Sequence, residues 1–99
     1  MASSRSKDLS DLHRLFSSVR TEKEAEMLLT DMLTPGELRS LTKRWQELQL
    51  LSNGMKQREV SKKLKISISK VTRGSRVLRH GTGGAWLFLK RLGKIRKER

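Results

Sequence analysis

Apolar residues recur along this chain at spacings of three and four, the mark of helices that bury one face, while β-branched and strictly alternating runs are few. Leu9, Leu12, Leu15, Phe16 and Val19 predict a first helix from about Lys7 to Val19. Thr21 and Glu24 form a capping box, in which each side chain satisfies a backbone donor that a first helical turn leaves unpaired. Ala25, Leu28, Leu29 and Met32 continue from it as helix two. Thr34, Pro35 and Glu37 mark a third start: an N-cap hydroxyl, a proline whose missing N–H costs nothing at the first position, and a glutamate at the third. Its stripe is Leu38, Leu41, Trp45, Leu48 and Leu51, stopped by Asn53-Gly54.

The second half reads as shorter pieces. Gln57 to Lys63 predicts a short helix with Val60 and Leu64 inward, Lys65-Ile66-Ser67 turns the chain, and Ser67 caps a helix through about Arg79. His80-Gly81-Thr82-Gly83-Gly84 is a break. A last helix, within residues 83–99, sets Ala85, Phe88, Leu89, Leu92 and Ile95 on one face and basic residues on the other. The expectation is an all-α fold of about six helices.

Charge is distributed very unevenly. Residues 1–34 carry five basic and six acidic side chains, net −1; residues 35–54 three and two, net +1; residues 55–99 fifteen and two, net +13. The last segment thus holds the whole net charge of +13. Such a concentration repels itself unless a polyanion neutralises it, which points to nucleic acid rather than to a merely solubilising surface of interspersed signs.

Length and composition remove other classes. Ninety-nine residues are one domain's worth of chain. A chain this short buries roughly 60–70% of its unfolded surface, and with 34% hydrophobic residues its own core should be thin, so a partner subunit is expected. The absence of cysteine excludes a disulfide scaffold, a thiolate metal site and a cysteine nucleophile, and His13 and His80 cannot fill a zinc site unaided. No apolar run approaches a membrane span and the first residues lack a signal-peptide pattern, so a cytoplasmic protein with no membrane role is expected. With no paired carboxylates in a basic region and no nucleophile beside a histidine, no enzyme is expected.

Two short helices joined by a tight turn in a basic, all-helical chain suggest a helix-turn-helix, whose exposed second helix can enter the major groove of DNA. In QREVSKKLKISISKVTR, Val60, Leu64, Ile66 and Val71 are apolar where the helices must pack, and Ser61 is small where they approach most closely. Gln57, Arg58, Lys63, Ser69, Lys70, Thr72 and Arg73 are left outward. A plain helical hairpin would also have a polar outer face. Lys65 stands where a turn favours glycine, and Lys56 where a capping serine or threonine would be preferred. A basic RNA-binding protein is the alternative, although two tryptophans and two phenylalanines are few for stacking on bases. The segment from Ala85 to Arg99 reads as a dimer-stabilising helix with a solvated basic face, in preference to one lying on anionic membrane.

From Met32 to Leu78 the chain resembles the bacterial Trp repressor family, in MLTPGELRSLTKRW, MKQREVSKKL and VTRGSRVL. The resemblance implies a single domain over residues 1–99: dimerisation helices to residue 54, a helix-turn-helix over 55–79 and a C-terminal basic helix over 83–99. It further implies an intertwined homodimer that binds double-stranded operator DNA as a transcriptional repressor, with L-tryptophan as corepressor; a different indole ligand, or none, is the alternative. Arg44 and Arg73 match the arginines that sandwich the indole, a role suited to a planar guanidinium. On the residues alone, the preferred readings are Arg44 as a solvated neighbour of core Trp45 and Arg73 as a phosphate contact. Thr34 matches a threonine near the ligand carboxylate, although an N-cap would explain it, and Leu33 a residue whose carbonyl faces the amino group. Gly74, costly inside a helix, needs a close approach by a flat ligand or by another helix.

Val77 departs from the family's serine, which contacts the ligand's ammonium, and losing that bond costs about 1–3 kcal/mol. Lys70 and Arg76 also depart from the family's residues, adding positive charge where the resemblance implies the DNA and the ligand lie. On this reading the helix beginning at Ser67 enters the groove, with Ile68, Ser69 and Thr72 nearest the bases, while Lys56, Gln57, Arg58 and Lys70 grip phosphates.

Overall fold

The computed structural model describes residues 2–95, all of whose regular structure is helical. Six helices follow in order: α1 Ala2–Ser17, α2 Glu22–Met32, α3 Pro35–Ser52, α4 Gln57–Leu64, α5 Ile68–His80 and α6 Gly84–Arg91. The chain divides into two compact units, Met1–Leu38 and Arg39–Arg99.

In the first unit the sequence signals at the helix starts act as expected. The Thr21 hydroxyl accepts the Glu24 N–H at 3.1 Å, and the Glu24 carboxylate accepts the Arg20 N–H at 2.9 Å. The Thr34 hydroxyl likewise accepts the Glu37 N–H at 3.1 Å, while the Glu37 carboxylate accepts the Thr34 N–H at 2.9 Å. The α1 helix begins at Ala2, five residues before the expected start, because its first turns are polar and carry no apolar stripe to betray them. It ends at Ser17 rather than Val19, where the Ser17 and Ser18 hydroxyls turn back onto the Arg14 and Leu15 carbonyls. None of the α2 residues is buried, and Leu9, Phe16, Met27 and Met32 are each more than half exposed, so the apolar face of this unit lies open in the single chain.

The second unit holds the core. Among the described residues Val60, Val71 and Leu89, on α4, α5 and α6, are wholly buried, each contributing about 1.5–3 kcal/mol of transfer free energy. The α5 helix packs on both α4 and α6. Two half-buried hydrogen bonds add direction to that packing. The Thr72 hydroxyl donates to Gln57 Oε1 at 2.9 Å, joining α5 to α4. The Trp86 indole N–H donates to the Leu78 carbonyl at 2.8 Å, supplying a partner to one of the carbonyls that the end of α5 leaves unpaired. At the far end of α3, Asn53 Nδ2 donates to the Lys94 carbonyl at 2.9 Å.

Glycines in the left-handed region end two helices. Gly54 closes α3 through bonds from Met55 to the Leu50 carbonyl and from Gly54 to that of Leu51. Gly93 does the same to α6, with Lys94 bonded to Leu89 and Gly93 to Lys90. The last helix therefore closes at Arg91 instead of running on toward residue 99, and Ile95 lies beyond it. The expected helical stretch over 96–99 lies outside the described residues.

Candidate nucleic-acid interface

The helix-turn-helix is built around a strained corner. Lys65 adopts φ 56°, ψ 50°, the left-handed conformation that glycine takes more cheaply. Two features hold the corner: the Lys65 and Ile66 N–H groups both donate to the Ser61 carbonyl, and the Ser61 hydroxyl donates to the Ile66 carbonyl at 2.6 Å. The small side chain anticipated at the close approach of the two helices thus also ties down the turn. Ser67 then caps α5, its hydroxyl accepting the Lys70 N–H at 3.3 Å, whereas Lys56 gives α4 no side-chain cap.

This frame leaves Ser67, Ile68, Ser69 and Lys70 exposed together at the start of α5, with Ile68 52% exposed despite being apolar. An exposed isoleucine at a helix start surrounded by hydroxyls and a lysine is suited to contact with base edges and thymine methyl groups. Lys56 and Arg58 are exposed on the preceding element, as are Arg73 and Arg76 further along α5. Two anticipated contacts are instead joined to each other: Thr72 and Gln57 are half-buried and spend hydrogen-bonding capacity on their mutual bond. That bond sets the position of α5 on α4.

Further along α5, Arg73 and Gly74 are adjacent and Val77 follows one turn later, with Arg44 on α3 in the same unit. Arg44 and Arg73 are exposed, Val77 is 39% exposed, and Gly74 is buried. The side chain against Gly74 is Glu47, on α3 one turn from Arg44, which the sequence pattern did not single out. Its carboxylate fills the space where any larger residue at 74 would place its Cβ, and Glu47 is only 4% exposed. Burial pushes the Glu47 carboxyl above the ordinary glutamate range, while the positive charges of Arg44, Arg73 and Lys70 pull it back. Among the described residues the ion pair within 4.0 Å is Lys23 with Glu26, so Glu47 sits in the field of three cations without a close pairing to any. The close approach that Gly74 required is therefore made by this chain's own glutamate. The signal for it was one-sided: a mid-helix glycine announces that something comes near, but not what.

Leu33 and Thr34 belong to the first unit. Leu33 ends α2 in an extended conformation, its N–H bonded to the Leu29 carbonyl, and the Thr34 hydroxyl is engaged in capping α3. Among the described residues no group of three or more histidine and acidic side chains could hold a metal ion, and no helix is long and apolar enough to cross a membrane.

Comparison with known proteins bears on the family and the fold. The family model described as Trp repressor protein matches residues 7–93. A Trp operon repressor homolog of Vibrio campbellii is 39% identical over 74 residues, 74% of each chain. Its counterpart in Vibrio parahaemolyticus is 38% identical over 74 residues, 74% of this chain and 72% of the relative. The crystal structure of a TrpR-like protein from Eubacterium eligens superposes with a TM-score of 0.83 at 24% identity, covering 92% of this chain and 94% of that one, which shows the shared fold. From the family match over nearly the whole described chain and the two curated relatives, this chain belongs to the Trp repressor family.

Proposed function

We propose that two copies of this chain bind a two-fold-symmetric operator in duplex DNA and repress transcription there, with L-tryptophan as the corepressor clasped between Arg44 and Arg73. The observation that carries the DNA-binding part is the start of α5: a capped helix, braced on α4, that leaves Ile68, Ser69 and Lys70 exposed within the segment holding the net charge of +13. A helix so presented can enter the major groove, and flanking Lys56, Arg58 and Lys70 would hold phosphates and set the register. Gln57 contributes through its bond to Thr72.

The second copy is supported by what a single chain leaves uncovered. Leu9, Leu12, Leu15 and Phe16 on α1, and Leu87, Phe88 and Leu92 at α6, are between 37% and 57% exposed. Rows of exposed apolar side chains at helical spacing, one on α1 and one at α6, each favour burial against a partner over solvent exposure. A two-fold dimer would place its two α5 helices in successive major grooves, about 34 Å apart.

The experiment is a titration of a duplex, selected by the full chain from a random-sequence library, with and without L-tryptophan. Tighter binding with the amino acid is expected. Binding that is unchanged at millimolar L-tryptophan would remove the corepressor from the reading and leave the DNA-binding part standing.

A further inference from the structure

The contact between Glu47 and Gly74 bears directly on how that ligand site is regulated, provided that Arg44 and Arg73 form its clasp as proposed above. The Gly74 surface is not vacant: the Glu47 carboxylate lies on it so closely that not even a methyl group could be added at 74 without displacing it. Any ligand that uses the glycine's bare backbone must first move this side chain. The same carboxylate lies in the field of Arg44, Arg73 and Lys70, the cations that would attract a ligand's own carboxylate.

We propose that Glu47 is a built-in competitor at the ligand site, occupying the Gly74 surface and part of the field of Arg44 and Arg73 until L-tryptophan displaces it. Glu47 thus sets the affinity of the site rather than forming part of its clasp. It raises the ligand concentration at which the site fills, and it does so by space and by charge together. Displacement is feasible because the group lying on Gly74 is the far end of a flexible side chain rather than backbone. Once displaced, the carboxylate regains solvent, which partly offsets the loss of its place among the cations.

The two contributions separate in two variants. Glu47→Ala removes both the bulk and the charge, and Glu47→Gln keeps the bulk while removing the charge. Calorimetric titration of L-tryptophan into the full-length wild type, E47A and E47Q should show at least tenfold tighter binding to E47A, with E47Q between E47A and the wild type. A gain of affinity is the informative direction, because a residue that merely supports the fold would weaken binding when removed. E47Q, nearly equal in size, keeps the test usable where E47A is poorly folded. Affinity in the wild type equal to or tighter than in both variants overturns the competitor while leaving the corepressor reading intact. Heat from none of the three proteins, while the selected duplex is still bound, overturns both.

Discussion

The Glu47 carboxylate lies on the α-carbon of Gly74, with the carboxyl carbon 2.8 Å from where a Cβ would stand. One residue's side chain fits only because the other has none. The pair joins α3 to the helix that would read DNA, so its consequences reach both stability and ligand response.

The first consequence is an energetic coupling. Replacing a mid-helix glycine by alanine ordinarily gains about 0.5–1 kcal/mol. Gly74→Ala should gain that amount in a Glu47→Ala background, where the space is free, and should gain less or lose in the wild type, where the new methyl must expel the carboxylate. Urea unfolding of the four proteins gives the coupling directly. An equal effect of Gly74→Ala in both backgrounds would show that the contact does not matter.

The second is a dependence on pH. Burial raises the Glu47 carboxyl above its ordinary value of 4.5, so between that value and the raised one the folded chain holds a proton that the unfolded chain has lost. Stability from this group therefore falls as pH rises through the window and is restored as pH falls back toward 4.5. Glu47→Gln, which never ionises, should be more stable than the wild type at pH 7, with the difference shrinking as the pH is lowered. Thermal unfolding of both proteins from pH 4 to 8 measures it. A difference that stays constant with pH would place its origin elsewhere.

The turn supplies a third. Lys65 holds a left-handed conformation that costs a non-glycine residue about 1 kcal/mol or more. Lys65→Gly should stabilise the fold by about that amount, and Lys65→Val should destabilise it by a similar one. Denaturant midpoints for the two variants, shifted in opposite directions, are the expected result. A loss of stability in Lys65→Gly would mean that the lysine side chain makes a compensating contact.

A fourth concerns the brace between α4 and α5. Thr72→Val keeps the shape of the side chain and leaves the half-buried Gln57 without the hydroxyl donor it now accepts from. The expected cost is about 1 kcal/mol in unfolding free energy. It should be accompanied by weaker DNA binding, because α5 is then free to tilt on α4. Unchanged stability would remove the bond from the account of the motif.

The parts legible in the sequence were those set by local chemistry. Thr21 and Thr34 cap helices as their spacing to Glu24 and Glu37 predicts, and Ser67 caps α5 as its residue type and place predict, since a cap depends on residues within one turn. The left-handed Lys65 and the uncapped Lys56 were visible as mismatches between residue type and place. Where periodicity was the only guide the boundaries moved: the polar beginning of α1 carries no stripe, and Gly93 stops α6 although Leu92 and Ile95 continue its apolar spacing. The Gln57–Thr72 bond and the Glu47–Gly74 contact are pairings between helices, 15 and 27 residues apart in the chain, which no local pattern specifies. A buried glutamate in particular is invisible to a reading that places carboxylates outside.

In the function proposed above, α5, with Ser67 to Lys70 at its tip, reads the sequence of duplex DNA. The most direct measurement is the affinity of the full chain for the duplex it selects, set against a scrambled duplex of the same composition and against double-stranded RNA, at one fixed salt concentration. The selected duplex should bind more tightly than either competitor by about a thousandfold or more, the usual margin between specific and nonspecific sites. Equal affinity for all three would show that only the charge of +13 is at work, and would contradict that function.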